Sequence, residues 1–523
     1  MKGHSKFAIG IVGIGLVVIL AYRFVIPELQ DSVIKDSSDS KDIKATINIG
    51  IDNWIGYYPL CSRELRKRMR RAGYRVQCVD DQADYESRMK QLKKGKLQLA
   101  VATVDSYLLN GYEQNFPGTI ISIIDESKGG DAIVAWKDKI ASLDALKTNP
   151  ELKIAFTPNS PSEHLLRSIA VHFDIPFIRD NSHNWRLESN GSEQALKSLL
   201  DKKAYVAVLW EPDVSRALEN KHITKLIGTE DTDKLIIDIL LANREFTTNN
   251  PEIINTLLGQ YFRTLKYYRD NPKQFISDAA EEIKLSKDKT ATLLKGVSWQ
   301  SLTDNAIDWF GVANGVPGNS ENPINSIEST LSVLEQTNAV DQNILPNNDP
   351  YRLTNSQFIK QLYSSSISNI NFAGSTNKNT SGKQGKRKVF TALDNTAWNN
   401  LREIGTLKIR PIVFQSGLSQ LRDESYVQLD KAVTHLRHYP NYRIIIKGHS
   451  GTRGDATANL SLSRQRAATV LSYLKDNHAI DSNRLHYVGY GASKPLPKKP
   501  GESNRSWQYR LPRVELYLVT EDY

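Results

Sequence analysis

The sequence predicts a large layered α/β unit followed by a small α+β unit, both placed behind one N-terminal membrane helix. Three observations carry that prediction. A charge-free apolar run covers Phe7 to Tyr22; strand-like and helix-like patterns alternate from Ala45 onward; and a second, shorter alternation resumes at Leu407 after a polar stretch. The 523 residues correspond to two to four folded units at roughly 100–200 residues each, so one core is excluded. With 40% hydrophobic and 24% charged residues, the chain fits neither a mostly disordered protein nor a multi-pass membrane protein. A formal charge of +10 suits an anionic partner without choosing among nucleic acid, membrane surface and cell-wall polymer.

The apolar run follows Lys2 and Lys6 and continues through Phe24 to Ile26 past Arg23, which gives about the 20 residues that cross a bilayer. Leu20-Ala21-Tyr22 lacks the small-x-small pattern of signal-peptide cleavage, so residues 1–28 read as an uncleaved anchor. The positive-inside rule keeps the lysines cytoplasmic and exports everything after Ile26. No Asp, Glu or His interrupts the span, which disfavours proton conduction by this helix. Gly10, Gly13 and Gly15 lie inside the span with no preceding strand and read as membrane-helix glycines, not a nucleotide loop.

After a polar spacer from Asp36 to Lys44, Ala45–Asp52 reads as a strand, Leu60–Ala72 as a basic helix and Tyr74–Val79 as the next strand, a βαβ opening. Lys90–Gly95 closes another helix, and further strands are expected at Leu97–Val101, Gly118–Ile124, Lys153–Phe156 and Tyr205–Trp210. Ligands of such α/β layers bind at the carboxyl edges of the strands. Trp54, Tyr57 and Tyr58 stand where the first strand ends and are candidate pocket walls, and Thr103 and Asp105 are candidate polar contacts after a later strand. Asn159 to Ser162 precede a helix whose free N–H groups, with the Ser160 and Ser162 hydroxyls, suit an anion. Glu163 and Asp131 argue for a cation or amine, so the ligand class stays open. Each candidate has a plainer alternative: core packing for the aromatics, helix capping for the serines. Cys61 begins a helix and Cys78 ends the following strand, which places both at one sheet edge in a right-handed βαβ unit. A disulfide is allowed there, and two separately buried thiols are the alternative.

The segments Asn53 to Pro59, Lys93 to Ala100, Asp125 to Val134 and Val208 to Pro212 resemble the nitrate, sulfonate and thiamine-precursor group of periplasmic substrate-binding proteins. The resemblance implies two α/β lobes closing over a small molecule, with lobe one at 45–130 and 240–345 and lobe two at 131–239. It adds Trp210 and Glu211 as ligand contacts, with hinge packing as their alternative.

Residues 364–400 are expected to form a flexible linker, because Ser364 to Lys388 is rich in Ser, Asn, Gly and Lys and poor in apolar residues. The cluster Lys383, Lys386, Arg387 and Lys388 reads as solvated linker. Beyond it, a strand at Leu407–Phe414, a helix at Glu424–His438, a strand at Tyr442–Lys447, a helix at Asn459–Lys475 and strands at Arg484–Gly489 and Pro512–Val519 make a compact α+β domain over 401–523. Gly448-His449-Ser450-Gly451-Thr452-Arg453-Gly454, then Asn459, Leu462, Ser463 and Arg466, then Gly489-Tyr490-Gly491, are similar to the OmpA-like peptidoglycan-binding domain. In that family an Asp and an Arg hold the diaminopimelate ammonium and carboxylate. By position the Arg is Arg466, whereas the Asp position holds Gly451, with Asp455 as a candidate substitute. The resemblance also places Phe414, His449, Arg453, Asn459 and Leu462 in the groove, while Asn459 as helix N-cap is an equal account of that residue. The closing Asn-Arg-Arg of the family reads Leu511-Pro512-Arg513 here.

Nothing points to an enzyme. Thr452 breaks the G-x-S-x-G spacing, the histidines show no H-E-x-x-H, and only His164 beside Ser162 offers a reactive pair. No cofactor, metal site or nucleic-acid partner is expected. The reading is a single-pass inner-membrane protein with its bulk in the periplasm, holding a solute receptor for transport or sensing and tethered to peptidoglycan. The alternative is a structural linker or interaction platform whose clam-shell is ligand-free. Candidate partners are a small-molecule solute, peptidoglycan, the inner membrane, and an ABC permease or envelope complex.

Overall fold

In the computed structural model the described residues are 43–149, 152–179, 184–312, 322–342, 344–367, 389–409, 412–415 and 417–521. The expected anchor and the basic cluster at 383–388 lie outside them. Among the described residues no helix is long and apolar enough to cross a membrane.

Strands β1 (Ala45–Ile51), β2 (Tyr74–Asp80), β3 (Leu99–Thr103) and β4 (Gly118–Ser127) open lobe one. The chain crosses at 128–130 into lobe two, with β5 (Asp131–Trp136), β6 (Ile154–Phe156), β7 (Arg186–Glu188), β8 (Val206–Trp210) and β9 (Ile223–Gly228). It returns through 229–236 to β10 (Ile237–Asn243) and β11 (Val297–Trp299). The sheet orders are β11-β4-β10-β3-β1-β2 and β7-β6-β8-β5-β9. β1 runs parallel to β2 and β3, and β6 parallel to β7 and β8, so each lobe presents a set of carboxyl ends. β3 and β4 are buried along their whole length because both faces are covered, which explains the nearly unbroken apolar run of β3.

The expected helix at 60–72 forms in two pieces. Ser62 adopts extended backbone between Tyr58–Cys61 and Arg63–Arg71, and its hydroxyl accepts from the Leu65 N–H, so a serine inside the periodic stretch acts as a cap. Cys61 and Cys78 are joined by a disulfide, with Cα atoms 6.0 Å apart. Residues beyond 345 still belong to lobe one: Thr354 bridges to Ile120, and Phe358 and Ile359 on the helix Gln357–Ile367 are buried in its core.

The C-terminal unit is a four-stranded sheet in the order β12-β15-β13-β14, from β12 (Arg402–Thr406), β13 (Arg443–His449), β14 (Leu485–Gly489) and β15 (Arg513–Thr520). The first strand therefore lies before the expected Leu407–Phe414, a run that holds Pro411, which has no N–H for a ladder. The linker is also shorter than expected at its far end, because Phe390 and Trp398 are buried under the Arg443 guanidinium. Helix Ala456–His478 lies so close to the sheet that a Cβ at Gly448 would come within 2.1 Å of the Ser463 carbonyl oxygen, and one at Gly489 within 2.5 Å of the Arg464 nitrogen. Packing thus explains two of the motif glycines without any ligand.

The C-terminal unit is docked on lobe two. One buried cluster runs from Phe156 and Phe173 through Ile404 and Tyr439 to Ile446 and Leu516. The Thr406 hydroxyl donates to Asp144 at 2.8 Å, the Lys408 N–H to the His172 carbonyl at 2.7 Å, and the Asp233 N–H to the His438 carbonyl at 2.9 Å.

Candidate functional site

Both lobes aim their carboxyl ends at a shared cleft. A cavity of about 610 Å³ opens there, lined by Asp81, Gln82, Ala83 and Asp84 after β2 and by Thr157, Pro158, Glu188, Ser189, Asn190 and Gln194 after β6 and β7. Among the described residues no Lys or Arg lines it. Behind its wall the Arg88 guanidinium is fully buried and donates to Asp81 at 2.5 and 2.7 Å, to Asp52 at 3.1 Å and to the Val101 carbonyl at 2.9 Å. Asp52 in turn accepts from the Trp54 N–H and the Tyr85 hydroxyl, so one network fixes the ends of both β1 and β2.

The aromatic trio separates. Trp54 donates its indole N–H to Asp125 at 3.2 Å and lies over the crossover, where a Cβ at Gly130 would come within 2.1 Å of its ring. Tyr57 is buried and its hydroxyl donates to Asp238. Tyr58 does not face the cleft: it packs on Tyr268 and Phe275, with ring centroids 6.0 Å away, in a side cluster of lobe one. The Asp125 carboxyl, pushed up to about 7 by burial, has one oxygen without a partner, and burial with the Asp125 charge pushes Asp238 well up.

Among the polar candidates, Thr103 caps the helix Val104–Glu113, accepting from the Ser106 N–H and donating to the Ser106 hydroxyl. Asp105 is buried beside it, and burial raises its carboxyl against the opposing field of His164. Asp131 accepts from Ser127 at 2.7 Å, and burial pushes it up to about 7. Ser160 donates to the Thr157 carbonyl at 2.7 Å. The Ser162 and Thr157 hydroxyls and His164 Nδ1 are buried without a hydrogen-bond partner. His164 Nε2 lies 3.4 Å from the Ser168 hydroxyl, so its nearest hydroxyl partner is Ser168 and not Ser162.

Two acidic expectations are corrected. Glu163 pairs with Arg167 at 2.6 Å and Arg186 at 2.7 Å and accepts from the Asn159 N–H; the arginines outweigh burial and lower its carboxyl, which leaves it neutralised and unfit to meet a cation. Glu211 accepts from the Ser215 N–H and hydroxyl and so caps the next helix. Trp210 ends β8 with its backbone tied to Ser192 and paired to Asp131 across the sheet. The carboxylates that line the cavity, Asp81, Asp84 and Glu188, were not singled out from the sequence. Asp80-Asp81 at the end of an expected strand was the available signal.

In the C-terminal groove the Arg466 guanidinium lies 4.9 Å from the Phe414 ring and donates its Nε–H to the Leu418 carbonyl at 3.1 Å. Burial lowers it, and among the described residues it has no carboxylate partner. His449 lies 3.1 Å from Glu515 and stacks on Tyr490. Burial would raise Glu515, but His449 and Arg513 outweigh it and hold it at about 2. Asp455 is the N-cap of helix Ala456–His478, accepting from the Ala458 N–H at 2.7 Å, so it is engaged and stands one turn before the expected cap at Asn459. Asn459 instead donates to the Arg453 carbonyl at 2.9 Å, and Leu462 is half-buried on the same helix. Gly451 stands in open space: a Cβ there would meet only Gln508, at 3.6 Å, and its φ is not positive.

Residues 413–507 match the model of the OmpA family. The peptidoglycan-associated lipoprotein of Rhizobium meliloti (strain 1021) is 35% identical over 85 residues, which are 16% of this chain and 48% of that protein. Outer membrane porin F of Pseudomonas aeruginosa is 25% identical over 100 residues, 19% of this chain and 29% of that protein. The chain thus spans about half or less of the curated relatives it matches. Among solved structures, the alkanesulfonate-binding protein SsuA of Xanthomonas axonopodis pv. citri, bound to MOPS, matches with TM-score 0.45 and 14% identity over 59% of this chain and 96% of that one. The periplasmic nitrate-binding protein NrtA of Synechocystis PCC 6803 matches with TM-score 0.46 and 11% identity over 65% and 92%.

Proposed function

We propose that the chain is a non-enzymatic envelope protein that binds a small solute between its lobes and holds peptidoglycan through its C-terminal unit, with its N-terminal segment in the inner membrane. The observation that carries the reading is the Arg466 guanidinium, largely buried on the Phe414 face and without an acidic partner among the described residues. A desolvated cation of this kind is matched by a carboxylate from outside, such as that of a peptidoglycan stem peptide. The ligand shifts the lobes toward closure by its preference for the closed form, and a permease or envelope complex reads that state.

For the solute, Asp84 and the half-exposed Glu188, with no cation among the cavity's described lining residues, favour an amine-bearing ligand over nitrate or a sulfonate, Asp81 being already paired with Arg88. Thermal-shift measurements on the full chain with diamines and amino sugars should raise the melting temperature, since a ligand at 100 times its Kd adds about 2.7 kcal/mol. Nitrate and alkanesulfonates should leave it unchanged. Stabilisation by the anions alone would reverse the assignment.

The second reading, a ligand-free linker, is favoured by Tyr57 and Tyr58, which are spent on internal contacts. It predicts retention on peptidoglycan with no solute response. In either case Gly451→Asp has room for its side chain and restores the carboxylate of the family pattern. Sedimentation with isolated sacculi should show it binding about tenfold more tightly than the parent, the weight of one charge-assisted bond.

A further inference from the structure

The contact between the C-terminal unit and lobe two extends onto the hinge. The lobes are joined by two crossovers, 128–130 and 229–236, and Lys128 ties them together by donating to the Thr232 carbonyl at 2.6 Å and Asp233 at 3.1 Å. The segment after helix Asp423–Arg437 grips the second crossover. The Asp233 N–H donates to the His438 carbonyl, His438 Nδ1 donates to the Asp233 carbonyl at 2.9 Å, and Asn441 donates to the Glu230 carbonyl at 3.1 Å. His438 Nε2 also lies 3.3 Å from the Ser329 hydroxyl on helix Asn322–Gln336, whose buried face belongs to lobe one. One residue of the C-terminal unit therefore touches the hinge and the lobe beyond it.

Three imidazoles are stacked in this contact. The His172 ring lies 4.6 Å from His435 and 5.5 Å from His438, the latter at an interplanar angle of 13°, and His172 Nδ1 meets the Tyr439 hydroxyl at 2.6 Å. His172 ends the helix Pro161–His172, whose first turn carries the cleft residues Ser162 and His164. Because the rings lie face to face their nitrogens do not converge, and no group able to hold a metal occurs among the described residues. The groups facing the stack are Tyr439 on its own segment, Lys408 from the stretch after β12, Lys128, Asp233 and Lys234 from the crossovers, and His164 from the helix of His172. Asp174 beside them is paired with Lys408 at 3.0 Å. Among the described residues no carboxylate accepts a hydrogen bond from any of the three rings.

We propose that the C-terminal unit is an acid-released lock on the hinge: docked through three neutral, stacked histidines it pins the crossover at 230–233, and protonation of the stack frees the lobes to move. Burial pushes all three rings below the ordinary histidine value, and His435, further lowered by His438 and Lys408, sits at about 4. In the undocked state the rings titrate near 6.5. The contact is therefore at full strength above about pH 6.5 and is lost as the pH falls from there toward the docked values, by up to tenfold per histidine per pH unit. The lock does not depend on which solute the cavity takes or on wall binding.

The test uses the full chain with spin labels on Asp201→Cys and Lys475→Cys, two exposed positions in lobe two and the C-terminal unit. A single narrow distance at pH 7.5 should become broad at pH 5.0 while near-ultraviolet circular dichroism stays native. His172→Gln/His435→Gln/His438→Gln should give the same distribution at both pH values. A parent distribution that stays narrow at pH 5.0, a variant that broadens as the parent does, or broadening accompanied by loss of the dichroism would each overturn the lock. If the triple variant is undocked at both pH values, His435→Gln decides, because among the described residues nothing hydrogen-bonds to its Nδ1. Its transition must be shallower and lower in pH than the parent's, and an unchanged midpoint overturns the proposal.

Discussion

Arg466→Ala is expected to release the protein from isolated sacculi, weakening retention about ten- to hundredfold, which is the range for loss of a charge-assisted contact worth about 1.5–3 kcal/mol. The guanidinium is positioned by the Phe414 ring and the Leu418 carbonyl, neither of which neutralises it, so its charge is available to a carboxylate from outside. Fold should survive the change, because the core beneath it is made by Ala467, Val470 and Leu474 on the adjacent helix face. Arg466→Lys keeps the charge but loses the planar stacking and the fork of donors, so it should fall between parent and alanine. Undiminished sacculus sedimentation of Arg466→Ala, with native circular dichroism, would remove peptidoglycan from the proposed function.

Arg88→Met is expected to have the largest effect on stability. Arg88 is fully buried between Asp52 and Asp81, with the Tyr85 ring 4.6 Å from its guanidinium carbon. Removing it leaves the buried Asp52 and the partly buried Asp81 facing each other unpaired, and breaking a buried ion pair in this way costs about 3–5 kcal/mol. Urea unfolding followed by tryptophan fluorescence should show the loss as an earlier transition in the two-lobed unit. The same substitution loosens the ends of β1 and β2, so the diamine response should fall with it. An Arg88→Met transition within about 1 kcal/mol of the parent, the weight of an exposed pair, would show that the network is solvated.

Parts of both units were legible because the signals are local. The strand–helix alternation gave the α/β layers and the C-terminal α+β order, since side-chain period follows from backbone geometry within a few residues. The Gly448–Gly454 and Arg466 pattern pointed to an arginine that is buried against the Phe414 ring. Cys61 and Cys78 could be placed at one sheet edge from the handedness of a βαβ unit, and they are bonded there. Misreadings came where a residue had a nearer partner than a ligand. Glu163 is claimed by Arg167 and by Arg186, 23 residues downstream, Tyr58 by Tyr268, and Asp455 by its own helix. The first strand of the C-terminal unit, expected at Leu407–Phe414, stands at Arg402–Thr406 instead.

Composition, periodicity and motif spacing determined that this chain builds two kinds of layered unit and carries an arginine, Arg466, in the motif of the second. Those properties are written in residues close together along the chain. Only the tertiary structure decided that Asp81, Asp84 and Glu188 share one cavity, and that His172, His435 and His438 stack on the hinge. Residues more than 100 and 260 positions apart meet there because sheet order and domain docking fold them together. A buried imidazole or carboxylate takes its chemistry from such neighbours, since desolvation and nearby charge set which protonation state survives.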